Sequence, residues 1–240
     1  MKRIFLITGT AIFTVLFLFS GVMVYRHYAA EQESKEAFES VSALLNTEIT
    51  GQTGETGQTE PSETLPGTDE PETVPQPTPY DKYGAVYERN SDFIGWISIE
   101  GTNIDYPVMQ TPDNPDFYLK HGFDKNYSDY GVPYVQEECD IDTSDNLIIY
   151  GHNMKNGSMF GSLRQYRAQS HYEENPVIYV VDDTGVGQFE IFAALEAEVV
   201  SWTYRLDLDE EEKQRSFLDY SMKRSELDTE LAPVPGDRII

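Results

Sequence analysis

Short apolar segments separated by turn residues recur from residue 93 onward, and this pattern restricts the fold more than any other feature. Most segments are rich in Val, Ile, Tyr and Phe, and Gly, Asp or Asn usually follows them. Short strands joined by such turns are typical of a β-barrel or a β-sandwich. We therefore predict a mainly β fold. The predicted strands are 95–99, 104–108, 132–135, 147–150, 177–181, 188–195 and 198–204, and a last strand begins at 238–240.

Two helices are predicted to accompany these strands. Aromatic and aliphatic residues at the start of the folded part share one helical face, so we expect a helix there that packs onto the sheet. The second predicted helix spans 207–224, with acidic residues in its first turn and basic residues in its last, an arrangement that complements the helix dipole. The apolar face of the first helix is formed by Tyr80, Tyr83, Val86 and Tyr87.

The N-terminus carries an uncharged, mostly apolar run of 22 residues, Ile4 to Tyr25. A helix of this length crosses a hydrocarbon core of about 30 Å. A cleaved signal peptide is the alternative, but its apolar core would be shorter. We therefore predict an uncleaved membrane anchor over 1–30. Lys2 and Arg3 precede the run, which indicates a cytoplasmic N-terminus and an extracellular remainder.

Two further segments separate the anchor from the predicted folded domain, 80–240. Residues 31–49 show apolar positions at helical spacing and are predicted to form a juxtamembrane helix. Residues 50–79 contain eight Thr, six Pro, four Gly and six acidic residues, with no Lys or Arg. Such a segment cannot bury enough apolar surface to fold, so we predict an extended linker that holds the domain away from the membrane.

Charge and cysteine content exclude several classes of function. The formal net charge of −25 disfavours nucleic acid as a partner, because no basic stripe is present to neutralise phosphates. The single cysteine, Cys139, excludes an internal disulfide framework and a multi-cysteine metal site. Of the other histidines, His27 flanks the predicted membrane segment, and His121 and His171 have no acidic or cysteine partner at metal-ligand spacing. We predict neither a metal nor another cofactor.

His152 is the leading candidate for chemistry. It follows the apolar segment 147–150 and Gly151, so it is expected just beyond the end of a strand, where side chains face a cleft. The alternative is a histidine that only caps the strand. Cys139 is a poor nucleophile by comparison, because Glu137, Glu138 and Asp140 surround it and carboxylates disfavour the thiolate.

From residue 92 onward the sequence resembles the class B sortases, a family of bacterial cysteine transpeptidases. The resemblance rests on an ordered set of motifs over about the last 150 residues, which is more specific than any single motif. The motifs are Phe93-Ile-Gly-Trp-Ile-Ser-Ile-Glu-Gly-Thr102, Ile104-Asp-Tyr-Pro-Val108, Asp116-Phe-Tyr-Leu119, Asp145-Asn-Leu-Ile-Ile-Tyr-Gly-His-Asn-Met154, Gly157-Ser-Met-Phe160 and Gly236-Asp-Arg-Ile-Ile240.

The resemblance implies a closed eight-stranded β-barrel with added helices and a catalytic triad in the order His, Cys, Arg. His152 matches the histidine. In the family, Asp-Arg-Ile-Ile is closely followed by Thr-Leu-x-Thr-Cys and then by the arginine, whereas this sequence stops at Ile240. We therefore expect the last strands to be missing and the chain to be a fragment, truncated before its nucleophile and inactive by itself.

The resemblance also indicates two substrate contacts, Leu119 and Tyr204. Ordinary packing in the core or at the rim is the alternative for both, and Pro115 stands where the family often has Asn before Asp-Phe-Tyr-Leu.

The function implied is a membrane-anchored sortase facing the cell wall of a Gram-positive bacterium. Its cysteine would cleave a sorting signal after Thr and form a thioester. An amine of a peptidoglycan precursor or a pilin would then resolve that thioester. The partners would thus be secreted proteins with a C-terminal sorting signal, the amine acceptor and the membrane. The alternative is a catalytically inactive, sortase-like surface binding module.

Overall fold

Six strands form one sheet in the computed structural model, which describes residues 2–51, 83–183, 185–197, 208 and 210–240. The order of strands across the sheet is β4-β3-β2-β1-β5-β6. Neighbouring strands are antiparallel except β2 and β3, which pair in parallel through Met109 and Tyr134. The strands are β1 (Phe93–Ile99), β2 (Asp105–Met109), β3 (Tyr134–Val135), β4 (Ile149–Tyr150), β5 (Val177–Asp182) and β6 (Gly185–Glu190).

Strand β1 lies at the centre of the sheet and is buried along most of its length. Because successive side chains of a strand point to opposite faces, Ile97 and Ile99 enter one core cluster while Trp96 enters another. Gly95 lies against β5, where a Cβ would come within 2.6 Å of the Val181 carbonyl oxygen. Glycine at this position therefore permits the close approach of the two strands.

Among the residues that the structure describes, four α-helices accompany the sheet: α1 (Lys2–Gly51), α2 (Gly84–Arg89), α3 (Gln169–Glu174) and α4 (Glu211–Arg224). The predicted anchor and juxtamembrane helix belong to one continuous helix, α1. Judged by length and composition, α1 contains the candidate membrane span among the described residues. Its later part packs on the sheet, with Val41 in the same cluster as Tyr83 and Val86.

The predicted mainly β fold is confirmed, with six strands curled into half a barrel in the described part of the chain. Several boundaries differ from the predicted ones. β3 and β4 are only two residues long, β6 begins at Gly185 rather than residue 188, and α4 begins at Glu211 rather than residue 207. Tyr87, predicted on a packed face, is 49% exposed. The predicted strand 198–204 and most of the linker 50–79 lie outside the described residues.

Candidate active site

His152 lies two residues beyond the end of β4, at the opening of a turn. Gly151 precedes it and faces the ring of Phe160, where a Cβ would meet ring carbon atoms at 2.5 Å. Only glycine allows the chain to leave β4 this close to Phe160. The His152 carbonyl oxygen then accepts hydrogen bonds from the backbone N–H groups of Met154 (3.1 Å) and Phe160 (3.0 Å), which fix the turn.

The His152 ring is oriented by a main-chain oxygen. Its Nε2 atom lies 2.7 Å from the carbonyl oxygen of Leu119, at the end of the short 3₁₀ helix Phe117–Leu119. A carbonyl oxygen only accepts hydrogen bonds, so Nε2 carries a hydrogen in this arrangement. Nδ1 is therefore the ring nitrogen that can take up and release a proton during a reaction.

The Leu119 carbonyl lies close against a glycine. Gly131 has a φ of +61°, and a Cβ there would lie 2.5 Å from the Tyr118 oxygen and 2.9 Å from the Leu119 oxygen. Val132 also donates its N–H to the Tyr118 oxygen (3.1 Å). The side chain of Leu119 is 38% exposed beside His152, so it is available to contact a bound molecule.

Asp129 adds a negative charge near His152, and sequence reasoning missed it. Its carboxylate accepts hydrogen bonds from the Tyr127 hydroxyl (2.8 Å) and from Lys120 Nζ (3.1 Å). These bonds, that from Tyr127 above all, hold the pKa of Asp129 below its ordinary value, and His152 contributes in the same direction. Asp129 lies 23 residues before His152 in no recognisable motif, so only the folded chain reveals the pair.

Arg164 shapes the loop that follows His152. Its guanidinium group donates to the Asn153 side chain (3.0 Å) and to the carbonyl oxygens of Met154 (2.8 Å) and Lys155 (3.3 Å). Such multiple donation is possible because the guanidinium presents several N–H groups in a fixed plane. Arg164 was not a sequence candidate either, since an arginine in a polar segment carries no signal of its own.

The last residues of the chain lie beside the segment that leads into β4. Ile239 forms a parallel bridge with Asn146. The N–H of Leu147 donates to the Ile239 oxygen (2.9 Å), and the N–H of Ile239 donates to the Asp145 oxygen (2.8 Å). Arg238 donates to the oxygens of Ser144 and Ile141. Residues 238–240 thus run in the same direction as the chain that carries His152.

Cys139 is a core residue. It is 5% exposed, packs in the cluster that contains Leu147, and donates its thiol hydrogen to the Asn146 oxygen at 3.5 Å. Burial raises the pKa of the thiol, and Glu138 and Glu137 raise it further. This environment disfavours the thiolate, in agreement with the structural role inferred from the sequence.

Other residues singled out in the sequence lie elsewhere. His121 stacks on Phe117 with ring centroids 3.9 Å apart, and His171 packs edge-on against Tyr166. Tyr204, the second predicted substrate contact, lies outside the described residues. Its predicted role therefore stays a prediction.

One group of carboxylates among the described residues is compact enough to hold a metal ion: Asp142, Asp182 and Asp183 lie within 4.8 Å of one another. Asp182 already accepts the N–H of Gly185 (3.0 Å), a bond that stabilises the turn between β5 and β6. The cluster thus contributes to turn geometry, and its residues belong to a different part of the sheet from β4 and His152.

Comparisons with known proteins identify the fold and the family. The sequence model of the Sortase domain family matches residues 97–218. Sortase B of Staphylococcus aureus is 28% identical over 160 residues, or 66% of this chain and 65% of that protein. Sortase B of Listeria monocytogenes is 32% identical over 162 residues, or 67% of this chain and 65% of that protein. The chain thus spans slightly less than two thirds of the length of these relatives.

Solved structures agree. A Staphylococcus aureus sortase B–substrate complex superposes with a TM-score of 0.70 at 20% identity, covering 87% of this chain and 86% of that one, which establishes the likeness of fold. Clostridium perfringens sortase B gives a TM-score of 0.60 at 29% identity, covering 64% of this chain and 85% of that one. With the family model covering half of the sequence, the chain belongs to the sortase family, and its relatives place it in class B.

Proposed function

We propose that this chain is the larger part of a membrane-anchored class B sortase, a cysteine transpeptidase that cleaves a sorting signal after Thr and transfers the protein to an amine. The observation that carries the proposal is the parallel pairing of Ile239 with Asn146. His152 lies six residues after Asn146, and in a parallel pair the two strands advance together. A strand that continued past Ile240 in this register would bring its fifth residue level with His152.

That register fits the class B motif. If Thr-Leu-x-Thr-Cys followed Asp-Arg-Ile-Ile directly, its cysteine would be the fifth residue and would lie beside His152. The pairing seen at Ile239 therefore supports a nucleophile delivered from the strand next to β4. Leu119, whose oxygen orients His152 and whose side chain is exposed, is the proposed substrate contact on this side, and Tyr204 is the proposed contact from the segment before α4.

His152 is the proposed acid–base group. The thiolate attacks the Thr carbonyl carbon, the C–S bond forms, and the C–N bond breaks as the imidazolium passes its proton to the leaving nitrogen. The acceptor amine then attacks the thioester carbon. Its proton returns to the imidazole, and the thiolate leaves. Because Nε2 is engaged by the Leu119 oxygen, Nδ1 carries both transfers.

The proposed location is the cell membrane, with a cytoplasmic N-terminus and the catalytic domain outside, facing the cell wall. The apolar part of α1, exposed from Ile12 to Tyr25, supports a single-pass anchor. The proposed partners are secreted proteins with a C-terminal sorting signal and a peptidoglycan or pilin amine.

The test is peptide cleavage and transfer by the full-length gene product in detergent, with sorting peptides of the Leu-Pro-x-Thr-Gly and Asn-Pro-x-Thr types. We expect His152→Ala to lower the rate by about 10²–10⁴-fold, the usual contribution of a positioned acid–base group. His27→Ala, a change of an exposed histidine on α1, should leave the rate unchanged. Undiminished activity of His152→Ala would refute the assignment. Peptide binding without thioester formation by the unaltered protein would instead identify the inactive binding module.

A further inference from the structure

Helix α1 passes from a fully exposed segment to a segment packed on the domain within about one turn. Residues 12–28 are exposed all round, whereas Ala29 and Ala30 are half-buried. Further along, the Phe38 ring lies 4.9 Å from that of Tyr106, and Val41 is buried. The apolar run ends at Tyr25, only about 6 Å before Ala29 along the helix axis. The domain therefore begins where the proposed membrane span ends.

A small hairpin, residues 121–127, extends from the domain toward this junction. Its strands are joined by the bridge between His121 and Tyr127 and by the bond from Gly122 N–H to the Asn126 oxygen (2.8 Å). Phe123 is buried in the core, and its oxygen accepts a hydrogen bond from Asn90 (2.7 Å). The 121–127 hairpin is thus preformed and anchored at one side.

The 121–127 hairpin lies across a hollow of about 670 Å³ from α1. On the α1 side the hollow is lined from Met23, inside the apolar run, to Phe38 in the packed part of the helix, and on the other side by Phe123 and Tyr127. The hollow therefore extends along the helix from the packed segment to the end of the proposed span. Tyr127, which is 67% exposed, lines this hollow.

The chemistry of the 121–127 hairpin suits the boundary between lipid and water. Tyrosine is enriched there because its ring is apolar and its hydroxyl group is polar. Lys125 pairs with Asp92 (2.8 Å), so its positive charge is already balanced within the domain. The expected contact thus depends on the aromatic ring and does not require anionic lipid.

We propose that the 121–127 hairpin rests on the outer surface of the lipid bilayer, with the ring of Tyr127 in the interface. This inference depends on the membrane anchor of the proposed function. This contact fixes the position of the catalytic domain against the membrane, and the hollow beside α1 opens at the bilayer surface. Met154, two residues after His152, lines the same hollow.

The packing of α1 also bears on the position of the domain. The later part of α1 and helix α2 lie in one core cluster through Val41 and Val86. The prediction that the segment 50–79 holds the domain away from the membrane and the proposed contact with the bilayer exclude each other. The test below decides between them.

The test compares two added tryptophans in the full-length protein, reconstituted in neutral vesicles that contain brominated lipid chains. Tyr127→Trp reports on the hairpin. Tyr87→Trp is the matched control, because Tyr87 is also an exposed tyrosine but lies on α2. α2 packs beside Val41, about 24 Å beyond Tyr25 along α1. The unaltered protein supplies the baseline emission of the native tryptophans.

We expect the emission added by Tyr127→Trp to be largely quenched by brominated lipid, and that added by Tyr87→Trp to be retained. If protein that floats with the vesicles retains the added emission equally at both positions, the proposed contact of the hairpin with the bilayer is overturned and the anchor is not. Protein that fails to float would overturn the anchor and this inference together. Peptide cleavage, measured in detergent, tests the proposed catalytic function separately. Circular dichroism of each variant verifies that it is folded.

Discussion

Replacing Gly131 by alanine should both destabilise the domain and displace the group that orients His152. Two costs combine at this position. The φ of +61° is in the left-handed region, where a Cβ costs about 1–2 kcal/mol. The added Cβ would also lie 2.5 Å from the Tyr118 oxygen and 2.9 Å from the Leu119 oxygen, whereas ordinary contacts begin at 3.4 Å. Main-chain atoms must therefore move by several tenths of an ångström.

Overpacking of this kind typically costs about 1–3 kcal/mol, so the total for Gly131→Ala is about 2–5 kcal/mol. Gly157→Ala is the matched control. It has a φ of +83° and no atom within 4 Å of the added Cβ, so it should show the backbone cost of about 1–2 kcal/mol alone. The difference between the two variants isolates the contacts with the Tyr118 and Leu119 carbonyl oxygens.

The assay is urea unfolding of the detergent-solubilised protein, followed by near-ultraviolet circular dichroism. A second readout is the ¹⁵N signal of the His152 ring, which reports which nitrogen carries the hydrogen. In Gly131→Ala we expect the Nε2 signal to change as its bond to the Leu119 oxygen lengthens from 2.7 Å. Equal stability of Gly131→Ala and Gly157→Ala, with an unchanged ring signal, would refute the reasoning.

Three further predictions concern the core. Val41→Ala should lower the free energy of unfolding by about 2–3 kcal/mol, because it removes buried methyl groups and leaves a cavity. Val24→Ala, in the exposed span, should leave the free energy of unfolding unchanged. Equal urea midpoints for the two variants would contradict the packing of α1. Cys139 should resist alkylation until the protein unfolds, as mass spectrometry can show, and Cys139→Ala should retain peptide transfer by the full-length enzyme. Burial raises the pKa of Tyr166 to about 12. The neutral form therefore stabilises the fold fully below about pH 10, and this contribution should decline as the pH rises from 10 through 12. Tyrosinate absorbance that appears in full at the ordinary pKa of tyrosine would contradict this prediction.

Much of the sheet could be predicted because its central strands are buried. Strand β5 was predicted within one residue of its end, since its apolar run has turn residues at its C-terminal side. β3 and β4 were predicted too long for a physical reason. Apolar residues such as Leu147 are buried but lie outside the β3–β4 ladder, so hydrophobicity alone does not reveal where a strand begins. The continuity of α1 was missed because the composition changes at residue 30 while the helical backbone does not.

The candidate site was predictable only where it is local in sequence. His152 could be singled out as a candidate because it follows its own strand and glycine. The Leu119 oxygen is a main-chain atom, and its role depends on the position of Gly131 twelve residues later. Asp129 and Arg164 are ordinary surface residues in the sequence, and only the folded arrangement brings them to the His152 loop. Sequence patterns encode which segments pair, but not which single atoms meet.

The pairing of Ile239 with Asn146 also governs the order in which the molecule can assemble. The two residues are more than 90 positions apart, and forming such a contact requires closure of a very long loop, which is slow. During synthesis, the segment 145–147 emerges long before its partner. Until residues 238–240 arrive, the edge that they cover is open to other chains. We therefore expect completion of this edge to be the last step of folding, and chains interrupted before Arg238 to aggregate through it.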